Sequence, residues 1–404
     1  LFGLIINILK AKSMALDWIS AAVEDQYEEV VHFRRVLHTN PELSFQEYQT
    51  ARFIEDKLSE ISLERLCETG LVGIIEPINT LNHSTCIALR ADIDALPIQE
   101  ETDLAFRSNN SGIMHACGHD MHTAILMGVS KIIQKNRDKL KRRVKLIFQP
   151  GEEKLPGGAS MMIESGVLQN PQVDNIFGLH VLPDLETGKI GFRSGPYMAS
   201  CDEIHLTVHG QGGHAALPHK TIDPIAIAAQ IILQAQTIIS RHGDPTIPSV
   251  LSFGYIVGLG ATNIIPDKVE LKGTFRTMNE QWRRKAHQLL EDLVHNTCIT
   301  HGAQADLKIE IGYPFLVNND RVTDYAINAT SKLFQKDQIV DLDVRMTAED
   351  FSYYSQFVPA TFFRIGVQNL SKSQSFGLHN SRFNPDEDAL KSGMKAFLAI
   401  VFDD

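Results

Sequence analysis

VKLIFQPGEE, residues 144–153, joins a short apolar run to a pair of carboxylates. VKLIF is about the length of a buried strand, and QPG then breaks it. CIAL at 86–89, IFGL at 176–179 and TFFRIGV at 361–367 are runs of the same kind. Stretches with helical periodicity separate most of them. That alternation predicts an α/β fold built on a mostly parallel sheet. Polar groups follow three of the runs: CIAL leads to RADID, LIF to QPGEE, and FGL to His180. Ligands of open α/β sheets bind at the carboxyl ends of the strands, so these groups are expected to share one site.

Before the first run the pattern is helical. Val23, Tyr27, Val30 and Val31 fall on one face, and Ala51, Ile54, Leu58 and Ile61 repeat the spacing after a turn at NPEL, 40–43. From about residue 190 to 313 the period changes to two. DEIHLTVHG alternates Ile204, Leu206 and Val208 with His205, Thr207 and His209, and LSFGYIV, KVELKGTFRT and LKIEI alternate likewise. One helix is expected after Asp223-Pro224, an N-cap followed by proline at the first helical position, and a second from about Asn279 to Cys298. The order strand, helix, strand, strand, helix, strand is that of a ferredoxin-like unit. The expected organisation is therefore a larger domain in two pieces, 14–193 and 314–404, with an α+β domain inserted at 194–313. SGPYMAS at 194–200 and GYPF at 312–315 read as its hinges.

Composition narrows the function classes. The net charge of −11 over 404 residues argues against nucleic-acid binding, which needs a surplus of Lys and Arg. Five scattered cysteines, Cys67, Cys86, Cys117, Cys201 and Cys298, do not form a disulfide framework and fit a reducing cytoplasm. LFGLIINILK at 1–10 is apolar but too short to span a bilayer, and it lacks the flanks of a signal peptide. Met14 reads as a natural start, and no membrane partner is expected.

The densest chemistry is MHACGHDMHTA, 114–124. Cys117 and His119 share a side of an extended loop, which Gly118 allows to turn tightly. Asp120 is the expected N-cap of a helix whose apolar face carries Ala124, Ile125, Val129 and Ile132, with His122 inside it. Glu152 and Glu153, adjacent at a strand end, are expected to point opposite ways. One can then hold a metal while the other acts as a base, the division that hydrolysis at a metal centre needs. His180 ends its run, and His379 sits in GLHNSRF before a C-terminal helix. Cys, His, Glu, His and His form a mixed donor set that suits Zn, Mn, Co or Ni better than Ca or Mg. No Cys-x-x-Cys pair or His-Glu-x-x-His helix is present. HGQGGHAALPH at 209–219, Asn263 in GATNIIPD and Arg276 in GTFRT add candidates in the inserted domain.

Taken in order, ALRADIDALP, MHACGHDMHT, FQPGEE, GGA at 157–159, FGLHV, GQGGHAALPH, GATNIIPD, GTFRT and MTAEDFSYY resemble the metal-dependent amidohydrolases. That family includes the N-acyl-amino-acid amidohydrolases, hippurate hydrolase and the plant auxin-conjugate hydrolases. The resemblance implies a zinc-peptidase-like catalytic domain whose inserted domain serves as lid and dimerisation unit. It makes Cys117, His119, Glu153, His180 and His379 the ligands of one or two divalent ions, and Glu152 the general acid/base. It gives His214 the polarisation of the scissile carbonyl, Asn263 and Arg276 the binding of substrate, and Asp94 an orienting role beside the metals. Asp92-Ile93-Asp94 stands where wider relatives carry His-x-Asp, so one histidine ligand of theirs is replaced.

The implied activity is hydrolysis of a small N-acyl amino acid by a homodimer or homotetramer. The alternatives are an aminopeptidase or dipeptidase of related architecture, and a non-catalytic metal-binding protein.

Overall fold

The computed structural model describes residues 16–79, 85–371 and 376–403. Met14 and the segment before it lie outside them. The chain divides into two units. The second comprises Pro196–Leu316 and Val344–Ser352, and the first takes the rest.

The first unit is built on an eight-stranded sheet. Its order is Leu63–Leu66, Gly70–Ile75, Arg143–Gln149, Cys86–Asp92, Asn175–Glu186, Ala360–Gln368, Ile190–Phe192 and Ile339–Asp341. The four strands in the middle, from Arg143–Gln149 to Ala360–Gln368, run parallel to one another. They are the four apolar runs of the sequence. Cys86–Asp92 is buried at every position, as a strand covered on both faces must be. The antiparallel strands lie toward the edges.

Helices Asp17–Thr39, His119–Lys135 and Ala389–Phe402 pack together beside this sheet. Val23, Val30 and Phe33 of the first are buried, and Tyr27 of the expected face is half-buried. In the His119–Lys135 helix nearly every residue up to Ile133 is buried.

His180 differs from expectation. It lies within Asn175–Glu186 rather than at its end. Pairing with Cys86–Asp92 stops at Gly178, but pairing with Ala360–Gln368 continues to Glu186. The strand therefore carries His180 just past the end of one neighbour while still held by the other.

The second unit has a four-stranded antiparallel sheet in the order Ser249–Val257, Lys268–Thr277, Asp202–His209, Gln304–Ile311. With helices Pro224–Thr237 and Glu280–Thr300 this is the ferredoxin-like split βαβ pattern. Asp223 and Asn279 cap the two helices, accepting backbone N–H groups of Ile225 and Trp282. Ile204, Leu206 and Val208 alternate into a core with Ile227, Ile231 and Leu290.

At the edge of that core Asp202 is buried and receives Arg283 Nε at 3.0 Å, with His287 Nε2 at 2.7 Å. Burial alone would raise its carboxyl, but His287 and Arg283 hold it below the ordinary value. The stability this contributes is therefore present at neutral pH and lost as pH falls through the lowered value. Asp202→Ala should cost about 1–3 kcal/mol at neutral pH, because Arg283 and His287 lose their charged partner while Glu280 and two backbone carbonyls still hold Arg283. The gap between variant and wild-type melting temperatures should narrow on acidification; a gap independent of pH would refute the charge pairing.

Candidate metal centre and active site

Four segments of the first unit bring the expected ligands together. Cys117 stands on the loop before helix His119–Lys135, and His119 is that helix's first residue rather than a loop residue. Gly118, with φ +90°, is the N-cap, a conformation that suits glycine. Asp120 does not cap. It lies buried in the first turn, 2.9 Å from Arg34 Nε and 2.9 Å from His38 Nδ1, so it ties the turn that carries His119 to helix Asp17–Thr39. His379 lies on the loop before the last helix in a left-handed conformation, φ +62°, and its N–H donates to Ala116 O at 2.8 Å. That bond joins the loops that carry Cys117 and His379, and the strained backbone at a polar side chain is the kind found at functional sites.

Glu152 and Glu153 differ from expectation. The strand ends at Gln149, and Pro150 and the left-handed Gly151 bend the chain. Both carboxylates therefore converge instead of pointing apart. An oxygen of each lies with a His119 ring nitrogen in a group whose atoms are all within 4.8 Å of one another.

Cys117 Sγ is 3.4 Å from His180 Nε2, and His379 Nε2 is 3.3 Å from Glu153 Oε1. His119 Nε2 is 4.0 Å from Glu153 Oε1 and is buried without a hydrogen bond. Buried polar atoms are rarely left so, unless an ion or water completes them. His119 Nδ1 donates to the backbone oxygen of Asp94 at 3.0 Å, which turns Nε2 toward the cluster. His180 Nδ1 likewise donates to Val181 O at 2.8 Å and leaves Nε2 facing Cys117.

The electrostatics ask for a cation. Burial, then Glu153, Glu152 and Asp92, push the Cys117 thiol well above its ordinary value. Burial works to lower His119, but Asp92, Asp94 and Glu153 outweigh it and raise the ring to about 10. A positive charge at Nε2, proton or metal ion, is thus strongly favoured. Burial and then Arg364 hold His180 well below the ordinary value, in the neutral form that ligates metals. Thiolate, imidazole and carboxylate donors fit a transition metal or zinc.

Asp94 supports two of these residues at once. Its Oδ1 is 3.2 Å from His119 Nδ1, and its Oδ2 accepts the Glu153 N–H at 3.0 Å and the Ser44 hydroxyl at 2.6 Å. His122 and Asp92 play a part that sequence reasoning missed. His122 Nδ1 lies 2.6 Å from Asp92 Oδ1, and its Nε2 accepts the Val181 N–H at 3.0 Å. Both ring nitrogens are thus used, which fixes the strand beside His180. The i, i+3 spacing of His119 and His122 was the available signal.

His214, Asn263 and Arg276 lie in the second unit. His214 pairs with Ile264 on a short ladder, and Ala215 N–H donates to Asn263 O at 3.0 Å, so these two are neighbours. His214 is exposed, and its Nδ1 accepts the Ala216 N–H at 3.1 Å. Arg276, on Lys268–Thr277, donates from Nη1 to Met346 O at 3.1 Å.

A family model described as peptidase family M20/M25/M40 matches residues 88–403. An N-acyl-L-amino acid amidohydrolase of Geobacillus stearothermophilus is 41% identical over 76% of this chain and 82% of its own length. Thermostable carboxypeptidase 1 of Saccharolobus solfataricus is 39% identical over 92% of this chain and 95% of its own. A crystal structure from Bacillus subtilis, described as a dinuclear metal-binding peptidase of the M20 family, superposes with a TM-score of 0.80 at 34% identity. It covers 94% of this chain and 98% of that one.

Proposed function

The chain belongs to peptidase family M20/M25/M40, and from that premise we propose that it hydrolyses the amide bond of N-acyl amino acids, releasing a carboxylate and a free amino acid. The observation that carries this reading is the convergence of thiol, imidazoles and carboxylates around His119, with Glu152 among them. Cys117, His119, Glu153, His180 and His379 would hold one or two divalent ions, drawn from manganese, zinc, cobalt and nickel. When bound, such ions make water nucleophilic at neutral pH and favour negative charge on a carbonyl oxygen.

Glu152 takes the proton of the attacking water and passes it to the leaving nitrogen, serving first as base and then as acid. His214 donates to the carbonyl oxygen. Its Nδ1 is occupied as an acceptor, so the neutral ring carries its proton on Nε2. Asn263 binds the amide, and Arg276 pairs with the free carboxylate of the amino acid, the local cation that an acidic protein requires. Asp94 keeps His119 and Glu153 in position. N-acyl amino acids and carboxypeptidase substrates share this bond, an amide whose nitrogen belongs to a residue with a free carboxylate.

We place the enzyme in the cytoplasm as a homodimer or homotetramer, without nucleic-acid or membrane partners. The five free cysteines support that compartment. Among the described residues no helix is long and apolar enough to cross a membrane.

The test is a hydrolysis panel: acetyl, benzoyl and longer acyl groups on several amino acids, with each metal, against dipeptides bearing a free amine. Blocked substrates should be cleaved and free-amine dipeptides spared; the reverse pattern would make the protein an aminopeptidase or dipeptidase. On the best substrate His214→Ala should lower kcat about 10²–10³-fold with metal content unchanged.

A further inference from the structure

The segment NPELSFQE, 40–47, ends in a carboxyl group that the reaction above does not use. Glu47 is fully buried. Its Oε1 accepts the N–H of Phe45 at 2.9 Å and of Gly151 at 2.8 Å, and its Oε2 accepts the Thr69 hydroxyl at 2.7 Å. None of these donors is a cation. Burial, followed by the nearby Asp94, pushes Glu47 up to about 7. A carboxyl group held this way costs stability relative to a solvated one. Its placement therefore calls for a reason other than stability.

Gly151 supplies the reason. It has φ +57°, and a Cβ on it would lie 2.2 Å from Phe45 Cε1. No other residue type fits between that ring and the turn. Gly151 thus has no side chain with which to anchor itself, and it is held by its peptide groups. Its N–H goes to Glu47, and its C=O accepts the Gly158 N–H at 3.0 Å. The next residues are Glu152 and Glu153. Ser44, from the same segment, donates to the Asp94 oxygen that also accepts the Glu153 N–H. The 44–47 segment therefore holds the turn directly through Glu47 and indirectly through Ser44 and Asp94.

We infer that Glu47 is a positioning residue: by fixing the Gly151 peptide it sets the directions of Glu152 and Glu153. This rests on the reading of Glu152 as base and Glu153 as ligand.

Two substitutions separate reach from charge in the full-length, metal-loaded protein. Glu47→Gln keeps the length and the acceptor oxygen but loses the charge. Glu47→Asp keeps the charge but is one methylene too short for Gly151. E47Q should hold kcat and metal affinity within about threefold, whereas E47D should lose about 10–100-fold in each with KM little changed. Metal affinity is read by competition with a chelating indicator, and both rates are corrected for the folded fraction. E47D behaving as wild type, or E47Q being impaired as much as E47D, would overturn the inference. Glu152→Ala is run alongside. Were E152A to stay active, the role of Glu152 would fall, while the metal affinity of E47D would still decide whether Glu47 positions Glu153.

Discussion

Glu152→Ala should bind metal like the wild type and lose about 10²–10⁴-fold in kcat, the range that a positioned general acid/base contributes. The two readouts part because Glu152 and Glu153, though adjacent, have different surroundings. Glu153 Oε1 sits 3.3 Å from His379 Nε2 and 4.0 Å from His119 Nε2, between two proposed ligands, and its N–H is pinned by Asp94. Glu152 is buried beside them without belonging to the Cys117–Glu153–His379 group. Its removal takes away a proton carrier and leaves the thiol, imidazoles and Glu153 in place. Glu152→Gln should be as impaired as the alanine variant, since the amide preserves shape but cannot take a proton. Metal content within error and kcat reduced at every pH would support the role. A kcat within about threefold of wild type would remove Glu152 from the chemistry.

Which parts of this architecture were legible in the sequence follows from what each part obeys. The four central strands were legible because parallel strands buried on both faces read as unbroken apolar runs, and Ala360–Gln368 is buried at all but its last residue. The second unit was legible because its sheet buries one face, so Asp202–His209 alternates. Cys117, His119, Glu153, His180 and His379 drew attention because in the sequence they follow apolar runs or stand close to a glycine. What stayed hidden depends on contacts between distant segments. Asp120 has the sequence context of a cap, but Arg34 and His38, some eighty residues earlier, claim its carboxylate and leave Gly118 as the cap. Glu47 carries no spacing signal, since its partner Gly151 lies 104 residues away. The convergence of Glu152 and Glu153 depends on a left-handed glycine, which a strand-end rule does not anticipate.

His119→Ala should have the second large effect, and on the opposite readout. His119 is the residue on which the cluster turns, appearing with Cys117 and His180, with Glu152 and Glu153, and with Asp92 and His122. Its Nδ1 is committed to Asp94, and its buried Nε2 has no hydrogen-bond partner. Removing the ring takes away a donor nitrogen that stands near both the Cys117–His180 pair and Glu153. Metal affinity should therefore fall by more than the roughly 10–100-fold that loss of an outer partner costs. At equimolar metal the variant should be inactive, and part of the activity should return at high metal, because Glu152 and the remaining ligands are untouched. E152A predicts the reverse signature, full metal with no rescue at any concentration. The pair thus separates holding the ion from moving the proton. If H119A bound metal as tightly as wild type, Nε2 would not be a ligand, and its burial without a hydrogen bond would need a trapped water instead.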